Sequence, residues 1–183
     1  MTRQRTDFPF SILCPYYLET AMTFAFEKID TALIDVEALP WMPFTPYTDE
    51  AFLKLLKVNP VTGEWITLLK IPGYMQLPKH HHSGTVIVYT ISGSWRYLEH
   101  DWIATQGSLV CETAGTQHTP AGVGDDEVCT LNIVMGDWNL IGPEGQVLAI
   151  ENWKTMMQRY LDFCRANGIE AQDVSSFEVQ AKA

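Results

Sequence analysis

The residues with the clearest potential for chemistry are histidines in two short segments. His80, His81 and His82 are consecutive, and His118 follows in a later segment. Side chains in extended chain point alternately to opposite faces, so His80 and His82 share a face and His81 points away. If that face is a barrel interior, His118 from a neighbouring strand completes a three-nitrogen face on a metal ion, and neutral imidazole suits iron, zinc, copper or nickel. The alternatives are a tag remnant or an exposed histidine turn, although a tag is normally longer and terminal.

Composition limits what else the chain can do. Its 183 residues favour one compact domain, and 46% hydrophobic against 19% charged residues supports a sizeable core. The formal net charge of −10 repels phosphate groups, so nucleic-acid and anionic-membrane partners are not expected. A small-molecule partner fits this surface better.

Cysteine usage and hydropathy predict the compartment. The four cysteines are scattered without the paired spacing of a zinc ribbon or a disulfide framework, so they are predicted to be free thiols. No apolar run reaches the roughly 18 residues that a membrane helix needs. The apolar stretch Phe8–Leu18 directly follows Asp7 and is interrupted by Pro9 and Pro15, so it is not predicted to be a signal peptide. We therefore expect a soluble cytoplasmic protein.

Short strands separated by turns dominate the middle of the chain and predict an all-β sandwich or small barrel. The first two form a hairpin around Asn59–Gly63. The predicted strands are Phe52–Val58, Glu64–Ile71, Thr85–Ser92, Ser94–Leu98, Ser108–Glu112 and Glu127–Met135.

The two ends of the chain have different patterns. Residues 1–50 are predicted to be an N-terminal arm. Within it, the pattern indicates a helix over Tyr16–Lys28 and a strand over Ala32–Leu39. The proline-rich stretch 39–46 cannot be the interior of a helix. Residues 51–145 form the predicted barrel. Apolar residues at three-to-four spacing predict an amphipathic helix over 146–168, with Gly168 at its end. Residues 169–183 have the composition of a polar tail.

The histidine segments resemble the two motifs of the cupin superfamily, whose fold is a double-stranded β-helix (jelly-roll) barrel. The first motif is a glycine, His-x-His, a glutamate and a second glycine, and it is matched by Gly73, His80, His82 and Gly93. The second motif is matched by Gly107, Gly115 and His118. The resemblance implies that His80, His82 and His118 are metal ligands.

Three positions differ from the cupin pattern. Val86 stands where the family has a ligand glutamate, which leaves three neutral ligands and a divalent ion with its full charge. In the second motif, Thr113 stands at the proline and Gly122 at the asparagine. Glu99, on the strand after the histidines, could restore a fourth ligand or could be an exposed turn carboxylate.

A narrower resemblance covers residues 40–165. The run Pro72–Trp102, the segment Leu39–Pro43 and the Glu151–Trp153 tripeptide are similar to the 2,4′-dihydroxyacetophenone dioxygenases. Those cupins use non-haem Fe(II) held by three histidines to cleave an aromatic α-hydroxyketone with O₂, which gives a carboxylic acid and formate. The resemblance implies Fe(II) as cofactor, with Zn possible in the protein as purified, and an aromatic ketone and O₂ as partners.

This chemistry needs a base and walls for an aromatic ring. Glu99 is the candidate base, because burial among apolar side chains would raise its pKa toward a useful value. The candidate walls are Tyr89, Trp95, Tyr97 and Trp102.

Other functions remain open from the sequence. A cupin with the same metal site could cleave a β-diketone instead, or it could be a zinc-binding sensor without turnover. A metal-free structural cupin is disfavoured by the intact histidine set. By analogy with other cupins, the chain is expected to form a homodimer or homotetramer.

Overall fold

The computed structural model describes residues 25–27 and 33–179, with side chains described for 33–176. Over these residues the chain is almost entirely β-structure, followed by one helix. The elements are β1 Ala25–Glu27, β2 Met42–Pro43, β3 Phe52–Asn59, β4 Glu64–Ile71, β5 His80–His82, β6 Val86–Ser92, β7 Ser94–Tyr97, β8 Ala104–Thr105, β9 Leu109–Glu112, β10 Gln117–His118, β11 Pro120–Gly122, β12 Val128–Met135, β13 Trp138–Ile141, β14 Val147–Glu151, α1 Trp153–Asn167 and β15 Phe177–Val179.

The strands form antiparallel sheets around a common core, in the jelly-roll arrangement of cupins. The largest sheet has the order β2-β3-β4-β12-β6-β9, and the sheet that carries the histidines has the order β10-β5-β13-β14. Smaller sheets are β11-β7-β8 and β1-β15. In β6 buried and exposed residues alternate, as expected of a strand with one face on the core. The predicted all-β fold is confirmed.

The predicted hairpin of β3 and β4 forms as expected. The side-chain oxygen of Asn59 accepts hydrogen bonds from the backbone N–H groups of Val61 and Thr62, which closes the loop. Gly63 has φ +76, a left-handed conformation that glycine adopts without strain. The turn at residues 59–63 therefore helps to set the register between β3 and β4.

The part of the N-terminal arm that is described packs onto the barrel. Residues 42–43 add strand β2 to the edge of the large sheet, and Phe44 is completely buried against Trp138, with ring centroids 5.0 Å apart. The predicted strand over 32–39 is absent from residues 33–39, which are irregular. The predicted helix over 16–28 lies mostly outside the described residues, and its described part, 25–27, is strand β1.

The C-terminal helix is shorter than its pattern predicts. Residues 147–151 pair with β13 as strand β14, because the helix begins only after Asn152, whose side chain caps the N–H groups of Lys154 and Thr155. The helix ends at the left-handed Gly168, as predicted. The segment after it is not simply a polar tail, since Val174 is buried and 177–179 pair with β1.

Two further predictions concern thiols and membranes. Cys111, Cys129 and Cys164 are free, in agreement with the sequence, whereas Cys14 lies outside the described residues. Within the described part of the chain, no helix has both the length and the apolar character needed to cross a bilayer.

Replacing Phe44 with alanine is expected to destabilise the protein by about 3–5 kcal/mol, because it leaves a cavity under the arm and removes the ring stacked on Trp138. Denaturant unfolding of both proteins measures the difference. Phe52→Ala on β3 is the matched control, since Phe52 is 38% exposed and its loss is expected to cost at most about 1 kcal/mol. Equal losses for the two variants would contradict the packing described for the arm.

Candidate metal centre

Two short paired strands bring the histidines together. His80 on β5 lies directly opposite His118 on β10, and alternation along β5 turns His82 to the same side as His80. All three side chains are buried, while His81 is only partly buried. One ring nitrogen from each of His80, His82 and His118 lies within 4.8 Å of the other two. The structure thus assembles the three side chains that the sequence singled out.

The orientation of His80 is fixed by the backbone. Its Nδ1 lies 3.0 Å from the carbonyl oxygen of Pro78, and because a carbonyl only accepts, Nδ1 carries the proton and Nε2 is left with its lone pair. The ring centroid of His80 is 4.9 Å from that of His82 and 4.7 Å from that of His118. A backbone partner of this kind is typical of imidazoles that bind metals.

A carboxylate that the sequence analysis did not single out completes the cluster. Glu112 is buried, and its Oε2 lies 3.1 Å from Nε2 of His118 and 3.4 Å from Nε2 of His82. Glu112 stands directly opposite Val86 in the pairing of β9 with β6. A carboxylate from the neighbouring strand therefore lies beside the position where the cupin motif would place its own glutamate.

The charges of this cluster follow from burial and proximity. Burial lowers the pKa of His82 to about 4, and burial together with His82 and His118 lowers the pKa of His80 well below its ordinary value. Burial raises the pKa of Glu112, but its interactions with His118, His82 and Tyr97 outweigh this and hold the pKa below its usual range. At neutral pH the cluster thus has two unprotonated imidazoles, at His80 and His82, and one ionised carboxylate.

These residues fit a divalent transition metal. Nε2 of His118 and Oε2 of Glu112 are buried and have no hydrogen-bond partner of good geometry, and a metal ion would satisfy such orphaned atoms. Neutral imidazole nitrogens with or without one carboxylate form a donor set common to iron and zinc sites. His80, His82 and His118 are therefore the residues that could hold the ion, with Glu112 adjacent to them.

Glu99 lies outside this cluster. Its side chain is exposed at the turn after β7, where its carboxylate accepts hydrogen bonds of 2.8 Å from the backbone N–H and the hydroxyl of Thr119. Burial raises its pKa, but the hydrogen bonds from Thr119 together outweigh burial and bring the pKa below its usual value, the opposite of the predicted direction. Glu99 thus positions the residue after His118, and Glu112 is the carboxylate beside the imidazoles.

The four aromatic candidates separate into three environments. Trp95 and Tyr97 are buried and line an inner cavity, and the hydroxyl of Tyr97 donates a hydrogen bond to Oε1 of Glu112. Trp102 is 36% exposed and lines an outer cavity, where its ring stacks on His100. Tyr89 is 43% exposed on the outer face of β6, because alternation turns it away from the core, so it is not a wall of either cavity.

The inner cavity lies inside the barrel, against the histidines. Its volume of about 80 Å³ is room for about six water molecules. The outer cavity, of about 510 Å³, shares Tyr97 and Glu112 with the inner one and reaches His118. The outer cavity therefore gives small molecules a route from solvent toward the histidines. The inner cavity is a mostly apolar chamber on the other side of them.

Gly122 shows why the second cupin motif departs from its usual pattern. A Cβ atom placed on Gly122 would lie 2.3 Å from the carbonyl oxygen of Gly73, so no side chain fits there. Gly73 is restricted by a different segment, because a Cβ atom there would lie 2.4 Å from the carbonyl oxygen of Asp126.

The sequence pattern of the ChrR cupin-like domain family matches residues 30–138. The chain belongs to this family. Among solved structures, an RmlC-like cupin protein of Ralstonia eutropha JMP134 is 51% identical, with 82% of this chain and 97% of that chain covered and a TM-score of 0.79. No curated protein sequence matches the chain.

More distant structures share the cupin fold. A protein of unknown function from Ralstonia eutropha JMP134 is 20% identical, with 86% of this chain and 99% of that chain covered and a TM-score of 0.74. An acetylacetone dioxygenase from Acinetobacter johnsonii is 20% identical, with 75% of this chain and 94% of that chain covered and a TM-score of 0.65. At this level of identity the likeness establishes the fold of this cupin.

The buried, neutral imidazoles predict an acid-sensitive fold once metal has been removed by a chelator. The pKa of His82 is about 4 in the folded chain and near 6.5 when unfolded, so the unfolded state binds the extra proton first. The free energy of unfolding is therefore expected to fall as the pH drops from 6.5 to 4, with about 3 kcal/mol from His82. Urea unfolding at several pH values, compared with His82→Gln, isolates this contribution. An identical pH slope in the variant would contradict it.

Proposed function

We propose that this cupin is a non-haem Fe(II) dioxygenase that cleaves the carbon–carbon bond of an aromatic α-hydroxyketone of the 2,4′-dihydroxyacetophenone type. The observation that carries the proposal is the set of three buried imidazoles with the Glu112 carboxylate beside them, at one end of an otherwise largely apolar cavity. The resemblance of residues 40–165 to the 2,4′-dihydroxyacetophenone dioxygenases supports it.

His80, His82 and His118 would hold the iron. Fe(II) held there would supply a Lewis acid for the two oxygens of a hydroxyketone and would activate O₂. Tyr47, Glu151 and other polar groups near the helix belong to a separate network, in which Arg159 pairs with Glu151 at 2.6 Å. The residues that take part in the proposed reaction are therefore those around the inner cavity.

Glu112 is the proposed general base. Its lowered pKa keeps it ionised at neutral pH, and Oε2 faces the imidazoles while Oε1 accepts the Tyr97 hydrogen bond. Burial and the neighbouring Glu112 carboxylate raise the pKa of Tyr97 well above its usual value, so its hydroxyl stays a donor. Tyr97 thereby orients the carboxylate, and Oε2 takes the proton from the substrate's hydroxyl group.

The overall reaction balances without another reductant. R–CO–CH₂OH and O₂ give R–COOH and HCOOH: the bond between the two oxygenated carbons breaks, these carbons lose four electrons, and O₂ gains them. Both oxygen atoms of O₂ enter the two acids. The proton held by Glu112 returns to a product, so the base is regenerated.

Two other functions share the same donor set. A β-diketone is the second substrate class, suggested by the acetylacetone dioxygenase of similar fold from Acinetobacter johnsonii. A zinc-binding sensor without turnover is the other, because three imidazoles also suit zinc. The enzyme assay described next separates all three.

The proposal is tested by reconstituting metal-free protein with Fe(II) under anaerobic conditions and measuring oxygen uptake with a panel of hydroxyketones and β-diketones. We expect one O₂ consumed and one formate released per aromatic hydroxyketone. Oxygen uptake only with β-diketones would mean that the substrate is a β-diketone and not an aromatic hydroxyketone. Tight zinc binding with no uptake on any compound would remove the dioxygenase proposal.

A further inference from the structure

The outward side of the large sheet is apolar where a sheet that faces water is normally polar. Strands of an antiparallel sheet with one solvated face alternate apolar and polar residues. Strand β6 instead carries Ile87, Tyr89 and Ile91 on its outward side, and these side chains are 40%, 43% and 39% exposed. Leu109 on the neighbouring strand β9 is 60% exposed. Exposed apolar side chains that adjoin one another mark an interaction surface.

Strand register joins these side chains into one continuous surface. Tyr89 on β6 lies opposite Leu109 on β9 and Leu131 on β12. Leu131 in turn lies opposite Leu68 on β4. A second row, which includes Ile87, crosses the same four strands beside the first. We call the whole surface the open face, and it consists of Ile66, Leu68, Ile87, Tyr89, Ile91, Leu109, Cys111, Leu131 and Ile133.

The open face lies between the N-terminal arm and the outer cavity. Toward β3 the arm covers the sheet, since the ring centroid of Trp41 is 5.2 Å from Nζ of Lys54 and 4.7 Å from Nζ of Lys70. At the opposite end, Leu109 and Cys111 also line the outer cavity. A molecule bound to the open face therefore lies beside the route from solvent to the histidines.

The open face is uncharged although the chain is strongly acidic. None of its residues is an aspartate, glutamate, lysine, arginine or histidine, whereas the net charge of the chain is −10. At its margin Lys57 pairs with Glu64 at 3.5 Å. Lys70 pairs with Glu127 at 3.1 Å. A charged partner would find no complementary charge on this face, whereas two copies of the chain can meet there without bringing unpaired like charges together.

The area of the open face is sufficient for a dimer. If a large apolar side chain has about 150–250 Å² when fully exposed, the exposed fractions amount to roughly 500–600 Å² per chain. Two copies placed face to face would bury roughly 1,000–1,200 Å², which passes the size of about 1,000 Å² that a specific interface needs. A symmetric contact uses the same surface on both chains and closes the assembly at two copies.

We propose that the open face is the interface of a symmetric homodimer, in which the same face of a second copy of the chain covers Ile87, Tyr89 and Leu109. The two sheets then pack face to face, as sheets do in β-sandwiches. Because the open face ends at the outer cavity, each chain also lies at the rim of the other chain's outer cavity. The dimer requires neither the metal nor the proposed reaction.

Sedimentation velocity of the full chain over a range of concentrations tests this interface. We expect the wild-type protein to sediment with the mass of two chains. Tyr89→Lys should raise the dissociation constant of the dimer by at least about a hundredfold, because a symmetric interface then buries an unpaired ammonium group twice. Ile87→Lys should have the same effect. Leu148→Lys is the matched control, since Leu148 is 62% exposed on β14 in a different sheet, and its dissociation constant should equal that of the wild-type protein. Circular dichroism checks that the variants are folded.

Cys111 provides a second readout that does not depend on mass. Its thiol is exposed on the open face, whereas Cys129 and Cys164 are buried. In a Cys14→Ser background, the rate of labelling by a maleimide therefore reports on Cys111. We expect this rate to fall as the protein concentration rises and the dimer forms. When Tyr89→Lys is added to the same background, the rate should not depend on concentration.

Two results would overturn the proposed dimer. One is a monomer at every concentration, whether Cys111 is exposed or protected by another part of the same chain. The other is a dimer that Tyr89→Lys and Ile87→Lys leave intact, because the two chains would then meet through a different surface.

Discussion

Replacing His118 with glutamine is expected to lower the affinity of the protein for Fe(II) by at least about a hundredfold and to abolish oxygen uptake. Loss of residues that merely orient metal ligands already costs 10–100-fold in affinity, and this change removes one of only three imidazoles. Competition with a metal-binding dye under anaerobic conditions measures the affinity. Circular dichroism checks that the variant is folded.

His81→Gln is the control for this prediction. His81 is the neighbour of two proposed ligands and sits on the same short strand, but alternation turns it to the other face. The His81→Gln variant should therefore bind Fe(II) with the affinity of the wild-type protein. Equal affinity in His118→Gln and the wild-type protein, or equal losses in both variants, would contradict a centre formed by His80, His82 and His118.

Replacing Glu112 with glutamine is expected to lower kcat by about 10²–10⁴-fold with iron still bound, since general bases contribute about that much. Glutamine keeps the shape of the side chain and its contact with Tyr97, but it does not take up a proton. Oxygen uptake at saturating hydroxyketone and the iron content of the same sample are the two readouts. A loss of oxygen uptake with iron retained indicates a base, whereas a loss of iron indicates a metal ligand.

Glu99→Gln is the matched carboxylate control. Glu99 is exposed and bonded to Thr119, so its loss should change kcat far less than the loss of Glu112. If Glu112→Gln loses its iron instead, the carboxylate is a ligand and its assignment as base is wrong. If Glu99→Gln has the larger effect on kcat, the base is the residue that the sequence favoured.

The placement of His80 and His82 on one face of a strand can be predicted from the sequence, because it depends only on residues close together in the chain. Alternation along an extended segment assigns His80 and His82 to one side, and turn residues such as Asn59 and Gly63 define the hairpin that anchors the large sheet. The free thiols and the inward Trp95 and Tyr97 follow from similarly local patterns. Each of these depends on residues close together in the chain.

The rest depends on pairing between distant segments. Glu112 reaches the site because β9 pairs with β6 in a register that places it opposite Val86, and nothing local to Glu112 reveals that register. The sequence makes Tyr89 a candidate wall and Glu99 a candidate base, but the first lies on the outer face of β6 and the second beyond the end of β7. Alternation gives two faces, and only the three-dimensional fold decides which face is inside.

The most direct test of the centre is anaerobic titration of chelator-treated protein with Fe(II), followed by elemental analysis and X-ray absorption of the loaded sample. We predict one iron per chain, with imidazole nitrogens as its principal protein ligands, and loss of that iron in His118→Gln. Iron well below one per chain, or an absorption spectrum without imidazole ligands, would contradict the centre and the reaction proposed for it.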